Sequence, residues 1–208
     1  MGRTLSVADV YAQIGLPNPW PEMKVRPFDR GGWFSTQIQL MRIFEARLAI
    51  GCPIETVLEI GCWMGASTRW LADRAKLVLA IDHWQGSPEH QKGGAADCHW
   101  ELPELFEKFL SNCRRFQDRI APIRMPSNVA LKLSLPPVDL AYIDGAHDAN
   151  AVESDILGTW EHVKSGGILT GDDFGPSWPG VAEGLARAAR KLGKPFHNDG
   201  ILWMLCKP

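Results

Sequence analysis

Short apolar runs alternate with amphipathic stretches along most of the chain. Residues 56–60, 77–82, 138–144 and 167–171 have the length and content of buried strands, and residues 120–125 give a weaker strand pattern. Apolar residues at helical spacing predict helices over 34–49, 66–75, 100–118, 149–163 and 181–192. The turn at Asp199-Gly200 precedes an apolar run over 201–206 and predicts a closing hairpin strand. This alternation predicts an α/β fold with a mostly parallel sheet that helices cover on both faces.

The apolar positions of two predicted helices indicate which face each helix turns to the core. In the helix over 34–49, this face carries Ile38, Met41, Phe44 and Leu48. In the helix over 100–118, it carries Leu105, Phe109, Cys113 and Phe116. Since an amphipathic helix buries its apolar stripe, we expect both faces to be covered.

Composition limits the classes of protein that fit. The 208 residues, 45% hydrophobic and 22% charged, suit a single globular domain. A net charge of -2 argues against a nucleic-acid partner or an anionic membrane surface, and no apolar run reaches the ~20 residues of a membrane span. The five cysteines form no CxxC pair, so a disulfide framework or a zinc ribbon is not indicated. We therefore expect a cytoplasmic protein.

A glycine-containing loop, Glu59-Ile-Gly61-Cys-Trp-Met-Gly65, follows the first predicted strand. Glycines let a ligand approach the backbone closely, and the next helix presents free N–H groups at its N-terminus. The spacing is GxxxG, without the GxGxxG triplet of dinucleotide-binding folds. A tight turn without a ligand is the alternative interpretation.

Asp82 closes the second predicted strand. A carboxylate at this position can accept hydrogen bonds from both hydroxyls of a ribose, which predicts an adenosine-containing cofactor. Because aspartate is common at turns, Asp82 could instead cap a loop.

Three further carboxylates follow the fourth and fifth predicted strands, namely Asp144, Asp172 and Asp173. Adjacent parallel strands would bring them to one rim, where clustered negative charge is costly unless a cation neutralises it. Oxygen ligands favour magnesium, calcium or manganese. The alternative is that Asp172 or Asp173 caps the next segment. His147 lies three residues beyond Asp144 and suits a general base, although a capping or packing role is equally open.

Taken together, these segments resemble class I S-adenosylmethionine (SAM)-dependent methyltransferases from about residue 32 to residue 207. The matching segments are Glu59–Thr68, Ile81–Gly86, Tyr142–His147 with Asp155, and Gly166–Phe174 followed by Pro179-Gly-Val181. Within that class the chain is most similar to the metal-dependent macrocin and sugar O-methyltransferases, and more distantly to the catechol type.

The resemblance implies a seven-stranded sheet in the order 3-2-1-4-5-7-6 with the last strand antiparallel. It implies that residues 34–208 form the methyltransferase domain and residues 1–33 an N-terminal substrate or lid segment. Glu59, Gly61 and Gly65 would border the methionine end of SAM, Asp82 would bind the ribose, and Ser127 would lie by the adenine. The same segments contribute Trp63, Ser67, His83, Trp84 and Asp144 as candidate cofactor-binding residues.

The resemblance also implies that Asp144, Asp172 and Asp173 hold magnesium beside the substrate hydroxyls. His147 stands where the catechol type has a lysine base, so His147 or Asp144 would accept the proton. The predicted function is O-methylation of a small-molecule hydroxyl, on a sugar or a phenolic diol. The alternatives are a nicotinamide-dependent oxidoreductase and a non-catalytic SAM-binding module. A homo-oligomer is compatible with the sequence.

Nine tryptophans accompany only two tyrosines. The walls of the substrate site are expected from residues 11–34, 84–100 and 175–180, the segments that the sheet fixes least. Five tryptophans lie in these segments, in the cofactor loop or beside the ribose segment, where flat rings could stack on adenine or on an acceptor ring, namely Trp33, Trp63, Trp84, Trp100 and Trp178. Three fall in regular elements and are expected in the core, namely Trp70, Trp160 and Trp203, while Trp20 has no assigned place.

Overall fold

The protein is described by a computed structural model that covers residues 5–29 and 32–208. A central sheet contains β1 (Thr56–Ile60), β2 (Leu77–Asp82), β3 (Ile120–Arg124), β4 (Val138–Ile143), β5 (Val163–Gly171), β6 (His197–Asp199) and β7 (Leu202–Cys206). Their order is β3-β2-β1-β4-β5-β7-β6. The first five strands pair in parallel, and β7 runs antiparallel to both β5 and β6. The predicted topology is confirmed.

Strands β1 to β4 are buried along almost their whole length, which explains their continuous apolar runs. Helices cover the sheet: α1 (Val7–Ile14), α2 (Gln37–Ala49), α3 (Ala66–Ala72), α4 (Leu105–Cys113), α5 (Ser127–Ala130), α6 (Ala149–Trp160) and α7 (Pro179–Leu192). Helix α7 has proline at its first position and ends at Gly193 in the left-handed conformation, both ordinary helix signals. Among the described residues, no helix has the length and apolar content required to cross a membrane.

The predicted core face of α2 is wrong, although the helix itself forms. Ile38, Met41 and Leu48 are 60%, 40% and 67% exposed, and Leu40 is the buried residue of this helix. Phe44 is half-buried and meets the Trp70 ring edge-on, with ring centroids 5.6 Å apart. The apolar spacing fixes the helical period, but the packing partner decides which side is covered. In α4 the predicted face is buried at Leu105, Phe109 and Cys113.

Helix α1 and Trp20 of the described N-terminal segment pack on the sheet, and the substrate or lid role of the segment stays a prediction. The Tyr11 hydroxyl donates to the Pro122 carbonyl, and the Trp20 indole donates to the Ile120 carbonyl, both at 2.8 Å. These bonds attach α1 and Trp20 to the edge strand β3 and bury them. Within residues 5–29 and 32–33, only Gly32 and Trp33 line the main cavity. Residues 1–4 and 30–31 of the predicted segment lie outside the described residues.

Candidate active site

A cavity of about 540 Å³ opens at the carboxyl ends of the parallel strands. Parallel α/β sheets bind ligands at this edge, and this volume is within the range of small-molecule sites. Several predicted site residues line the cavity, namely Gly61, Trp63, Ser67, Asp82, His83, Ser127, Asp144, His147 and Asp173. The fold therefore brings together residues that are more than 100 positions apart in the sequence.

The loop between β1 and α3 approaches the end of β4 so closely that only glycine fits at position 61. A β-carbon there would lie 1.9 Å from the Asp144 carbonyl oxygen. Gly65 also adopts a positive φ, but its α-carbon faces α4, where a β-carbon would lie 2.4 Å from Cys113 Sγ. Gly65 is thus not a cavity residue, which corrects its predicted position beside the cofactor. Its small size lets the start of α3 pack against α4.

Asp82 braces the glycine loop from the end of β2. One carboxylate oxygen accepts the backbone N–H groups of Cys62 and Trp63 at 2.9 and 3.0 Å, and the other accepts the N–H of Trp84 at 2.7 Å. Asp82 therefore does cap the loop, as the alternative interpretation of the sequence proposed. Since a carboxylate offers about four lone-pair sites, these three bonds leave acceptor capacity on the cavity side.

Trp63 and Trp84 have different positions, although both adopt a positive φ. Trp63 lines the cavity. Trp84 is only 1% exposed, packs against Phe106 and Phe109, and donates from its indole to the Trp63 carbonyl at 2.8 Å. Trp84 is therefore a core residue beneath the loop, which contradicts its predicted contact with the cofactor. Trp100 is exposed and does not line the cavity.

Glu59 is fully buried behind the glycine loop and does not line the cavity. The Ser67 hydroxyl donates to its carboxylate at 2.5 Å. Burial raises the pKa of Glu59 to about 7, against the hydrogen bond from Ser67, which lowers it. Glu59 acts on the site by holding α3 against β1, rather than by the direct cofactor contact that was predicted.

Ser127 lies at the start of α5, which follows β3 in the chain. Its hydroxyl donates to Asp155 at 2.6 Å, and both residues line the cavity. Burial raises the pKa of Asp155 to about 6, while the Ser127 bond lowers it. His83 also lines the cavity, and its Nδ1 accepts the Gln85 N–H at 2.9 Å. Ser127 therefore lies on the cavity wall, and its place beside the adenine stays a prediction.

Three rings form one wall of the cavity: Trp33, Trp63 and His90. The ring centroids of Trp63 and His90 are 4.7 Å apart, and Trp33 stacks on His90 at 5.9 Å with an interplanar angle of 15°. Trp33 is 62% exposed, so the wall extends to the rim. Such a surface suits a flat or apolar ring face.

The carboxylates of Asp144, Asp172 and Asp173 do not converge as metal ligands. Asp172 turns inward and accepts hydrogen bonds from Thr36 and Tyr142, each at 3.1 Å. Asp173 has a positive φ and its carboxylate contacts His147 instead. Among the described residues, no group of three His, Cys, Asp or Glu side chains is placed to hold a metal ion.

This arrangement does not fit the predicted magnesium site, because protein donors already occupy the carboxylates of Asp172 and Asp173. Asp144 lines the cavity, and its pKa is raised well above the ordinary value, first by burial and then by the charges of Asp172 and Asp173. The three acids line one small cavity and so lie near one another, but their carboxylates are not oriented as the ligands of the predicted metal site.

His147 is held on three sides at the cavity wall. Its Nε2 lies 2.9 Å from Asp173 Oδ2, its Nδ1 lies 2.8 Å from Glu89 Oε1, and its ring stacks on Trp178 with centroids 4.0 Å apart. Burial lowers the pKa of His147, but the hydrogen bond and charge of Asp173 and the charge of Glu89 outweigh it, so the pKa lies above its ordinary value. The two carboxylates thus favour a proton on the imidazole.

The sequence predicts that residues 84–100 contribute to the substrate walls, but it does not single out Glu89 and His90 within that segment. Both lie in the irregular stretch between β2 and α4, where no periodicity fixes which side chains point inward. No motif or spacing in the sequence marks either residue as part of the site.

Comparison with known proteins identifies the family. Residues 58–174 match the Methyltransf_24 family, described as a methyltransferase domain. The chain belongs to this family. The protein is thus a SAM-dependent methyltransferase, and the oxidoreductase alternative is wrong.

Solved methyltransferases have the same fold. The O-methyltransferase NovP is 15% identical with a TM-score of 0.65, over 82% of this chain and 78% of that one. CalS11, a TDP-rhamnose 3'-O-methyltransferase of calicheamicin biosynthesis, is 14% identical with a TM-score of 0.54, over 83% and 81%. The N-methyltransferase NodS from Bradyrhizobium japonicum WM9, in complex with S-adenosyl-L-homocysteine, is 16% identical with a TM-score of 0.55, over 97% and 98%.

Proposed function

We propose that this methyltransferase transfers the methyl group of SAM to a hydroxyl oxygen of a small ring-containing molecule, a sugar or a phenol. The observation that carries the proposal is the His147–Asp173 pair. It lies on the wall of the same cavity that the glycine loop, Asp82 and Ser127 line. A proton acceptor and a candidate cofactor site thus share one cavity.

On the cofactor side, we assign the free acceptor capacity of Asp82 to the ribose hydroxyls and the Ser127–Asp155 pair to the adenine. The glycine loop would contact the methionine portion, since its backbone and the Trp63 ring are on the cavity surface. The acidic lining also favours the positively charged sulfonium of SAM over its neutral product. This difference promotes product release.

In the transfer step, a lone pair of the acceptor oxygen forms a bond to the methyl carbon while the carbon–sulfur bond breaks. The electron pair of that bond stays on sulfur, which becomes the neutral thioether of S-adenosyl-L-homocysteine. The hydroxyl proton passes to the His147–Asp173 pair. The main contributions of the enzyme are alignment of the two reacting atoms and removal of this proton.

Two features favour a hydroxyl on a ring as the acceptor. A neutral amine can attack before it loses a proton, whereas a hydroxyl gains from a base such as His147. The wall of Trp33, Trp63 and His90 suits the face of a sugar or phenol ring. NovP and CalS11 are named as O-methyltransferases, CalS11 for a sugar, which agrees with this proposal.

Magnesium dependence remains a prediction from the sequence, and we derive no step through the metal because the acid side chains are engaged elsewhere. Isothermal titration with magnesium, together with turnover in the presence of a chelator, tests it directly. If magnesium binds with measurable heat and the chelator abolishes turnover, the predicted metal site is supported. Unchanged turnover would leave proton removal to protein groups alone.

The proposal is tested with methyl-labelled SAM and a panel of sugars, catechols and matched amines. We expect label on a hydroxyl acceptor, and a kcat about 100-fold lower in His147→Ala, the scale of a lost general base. SAM affinity in that variant should be unchanged. Transfer only to amines, or SAM binding without any transfer, would contradict O-methylation. The second outcome would indicate a binding module.

A further inference from the structure

The 87–98 segment is folded by its own hydrogen bonds. The Ala96 N–H donates to the Glu89 carbonyl at 2.9 Å, and the Cys98 N–H donates to the His90 carbonyl at 3.2 Å. The Ser87 N–H donates to His90 Nδ1 at 3.1 Å. These bonds fix the backbone around Glu89 and His90, so both side chains have defined positions. His90 joins the aromatic wall, and Glu89 reaches His147.

The contact between Glu89 and His147 joins two buried atoms. Glu89 Oε1 and His147 Nδ1 are 2.8 Å apart, a hydrogen-bond distance, but their directions are not those of a hydrogen bond. Each of these atoms is buried and has no hydrogen-bond partner. Because an unpaired buried polar atom is costly, a small rotation that aligns the two is favourable. Catalytic hydrogen bonds are often misaligned in enzymes without substrate.

The two nitrogens of His147 face different surroundings. Asp173, at Nε2, lines the cavity, whereas Glu89, at Nδ1, does not. Nε2 and the Asp173 carboxylate bonded to it are therefore on the side that an acceptor can reach. Glu89 lies behind the ring, where a carboxylate can hold the Nδ1 proton and fix the orientation of the ring, so that Nε2 stays on the Asp173 side.

We propose that Glu89 is the positioning residue of His147. Its carboxylate accepts the Nδ1–H of the imidazole, while the ring rests on Trp178, so that Nε2 stays beside Asp173 and the His147–Asp173 pair faces the acceptor hydroxyl. This inference rests on the proposed function for its kinetic consequence, but the contact itself can be tested without turnover. Glu89 does not touch the substrate in this scheme.

The kinetic test compares Glu89→Leu, Glu89→Gln and the matched control Glu161→Gln, an exposed acid after α6. In Glu89→Leu we expect kcat to fall 10- to 100-fold, with KM and SAM affinity changed less than threefold. Glu89→Gln keeps an oxygen acceptor at the same place and should recover most of that loss. The control should retain the original kcat. Equal losses in the Leu and Gln variants, or a kcat within twofold in Glu89→Leu, would overturn the proposal.

A second readout is the side-chain N–H signal of His147 in nitrogen-edited NMR, assigned with His147→Gln. The original protein and Glu89→Gln should show an Nδ1–H protected from solvent exchange, and Glu89→Leu should lose that protection. Identical signals in the original protein and Glu89→Leu would refute the contact, even if no acceptor has been found. Absence of transfer from the original protein would contradict the proposed function instead. Unchanged SAM affinity in Glu89→Leu verifies that the variant is folded.

Discussion

At the scale of single residues, Asp82 combines two tasks that the sequence presents as alternatives. Its carboxylate accepts backbone N–H groups from the glycine loop and from Trp84, and it also lines the cavity. Bonds from a charged carboxylate to backbone amides are among the stronger ones in a protein. The shape of the loop and any ribose contact therefore depend on the same side chain.

We predict that Asp82→Ala weakens SAM binding by more than ~1 kcal/mol, because it removes both the loop bonds and the ribose acceptor. Isothermal titration with SAM measures the effect. Asp118→Ala, at an exposed acid before β3, is the control and should bind SAM normally. An unchanged dissociation constant in Asp82→Ala would remove Asp82 from the cofactor site.

Glu59 makes stability depend on pH. Burial raises its pKa from 4.5 to about 7 in the folded protein, so the folded state binds the proton more tightly than the unfolded chain. The stabilising contribution is complete below the unfolded pKa and is lost as pH rises through about 7. We predict that Glu59→Gln flattens this dependence and gains up to about 3 kcal/mol at pH 8. Urea unfolding at pH 5 and pH 8 tests it, and parallel pH profiles in both proteins would disprove it.

At the scale of elements, the contact between the start of α3 and α4 depends on Gly65. Because glycine has no side chain, the two helices can pack closely at this position. Gly65 and Gly93 have nearly the same φ, +80° and +83°. A β-carbon at Gly65 would overlap Cys113 Sγ, whereas nothing lies within 4 Å of one at Gly93. Alanine at Gly93 therefore tests the cost of the backbone conformation alone, whereas alanine at Gly65 adds the cost of overpacking.

We predict that Gly93→Ala costs about 1–2 kcal/mol, the penalty of a left-handed backbone with a side chain. Gly65→Ala should cost a further 1–3 kcal/mol from overpacking. Denaturant unfolding of both variants measures the difference. If both variants lose the same free energy of unfolding, then α4 can shift without cost and the close contact at Gly65 does not contribute to stability.

At the scale of the whole molecule, the cavity is formed by connections that follow several strands. Its walls come from the β1–α3 loop, the β2–α4 segment, and the turns after β3, β4 and β5. A ligand that contacts all of them links these connections and stabilises the folded state.

We predict that S-adenosyl-L-homocysteine at 100 times its dissociation constant stabilises the protein by about 2.7 kcal/mol. For a domain of this size, that corresponds to a rise in Tm of roughly 5–10 °C. Differential scanning fluorimetry measures it, with adenosine as the weaker comparison ligand. No shift with either ligand would contradict cofactor binding in this cavity.

The sequence by itself determined the strands, the sheet order through its family resemblance, and the rim on which Asp82, Asp144, His147 and Asp173 meet. These follow from apolar periodicity and from the rule that parallel strands end at one edge. Only the tertiary structure decided the exposed face of α2, the burial of Trp84, the orientation of the acids, and the approach of Glu89 to His147. Period and position are local properties of a chain, whereas side-chain direction and partner depend on what packs against it from distant segments.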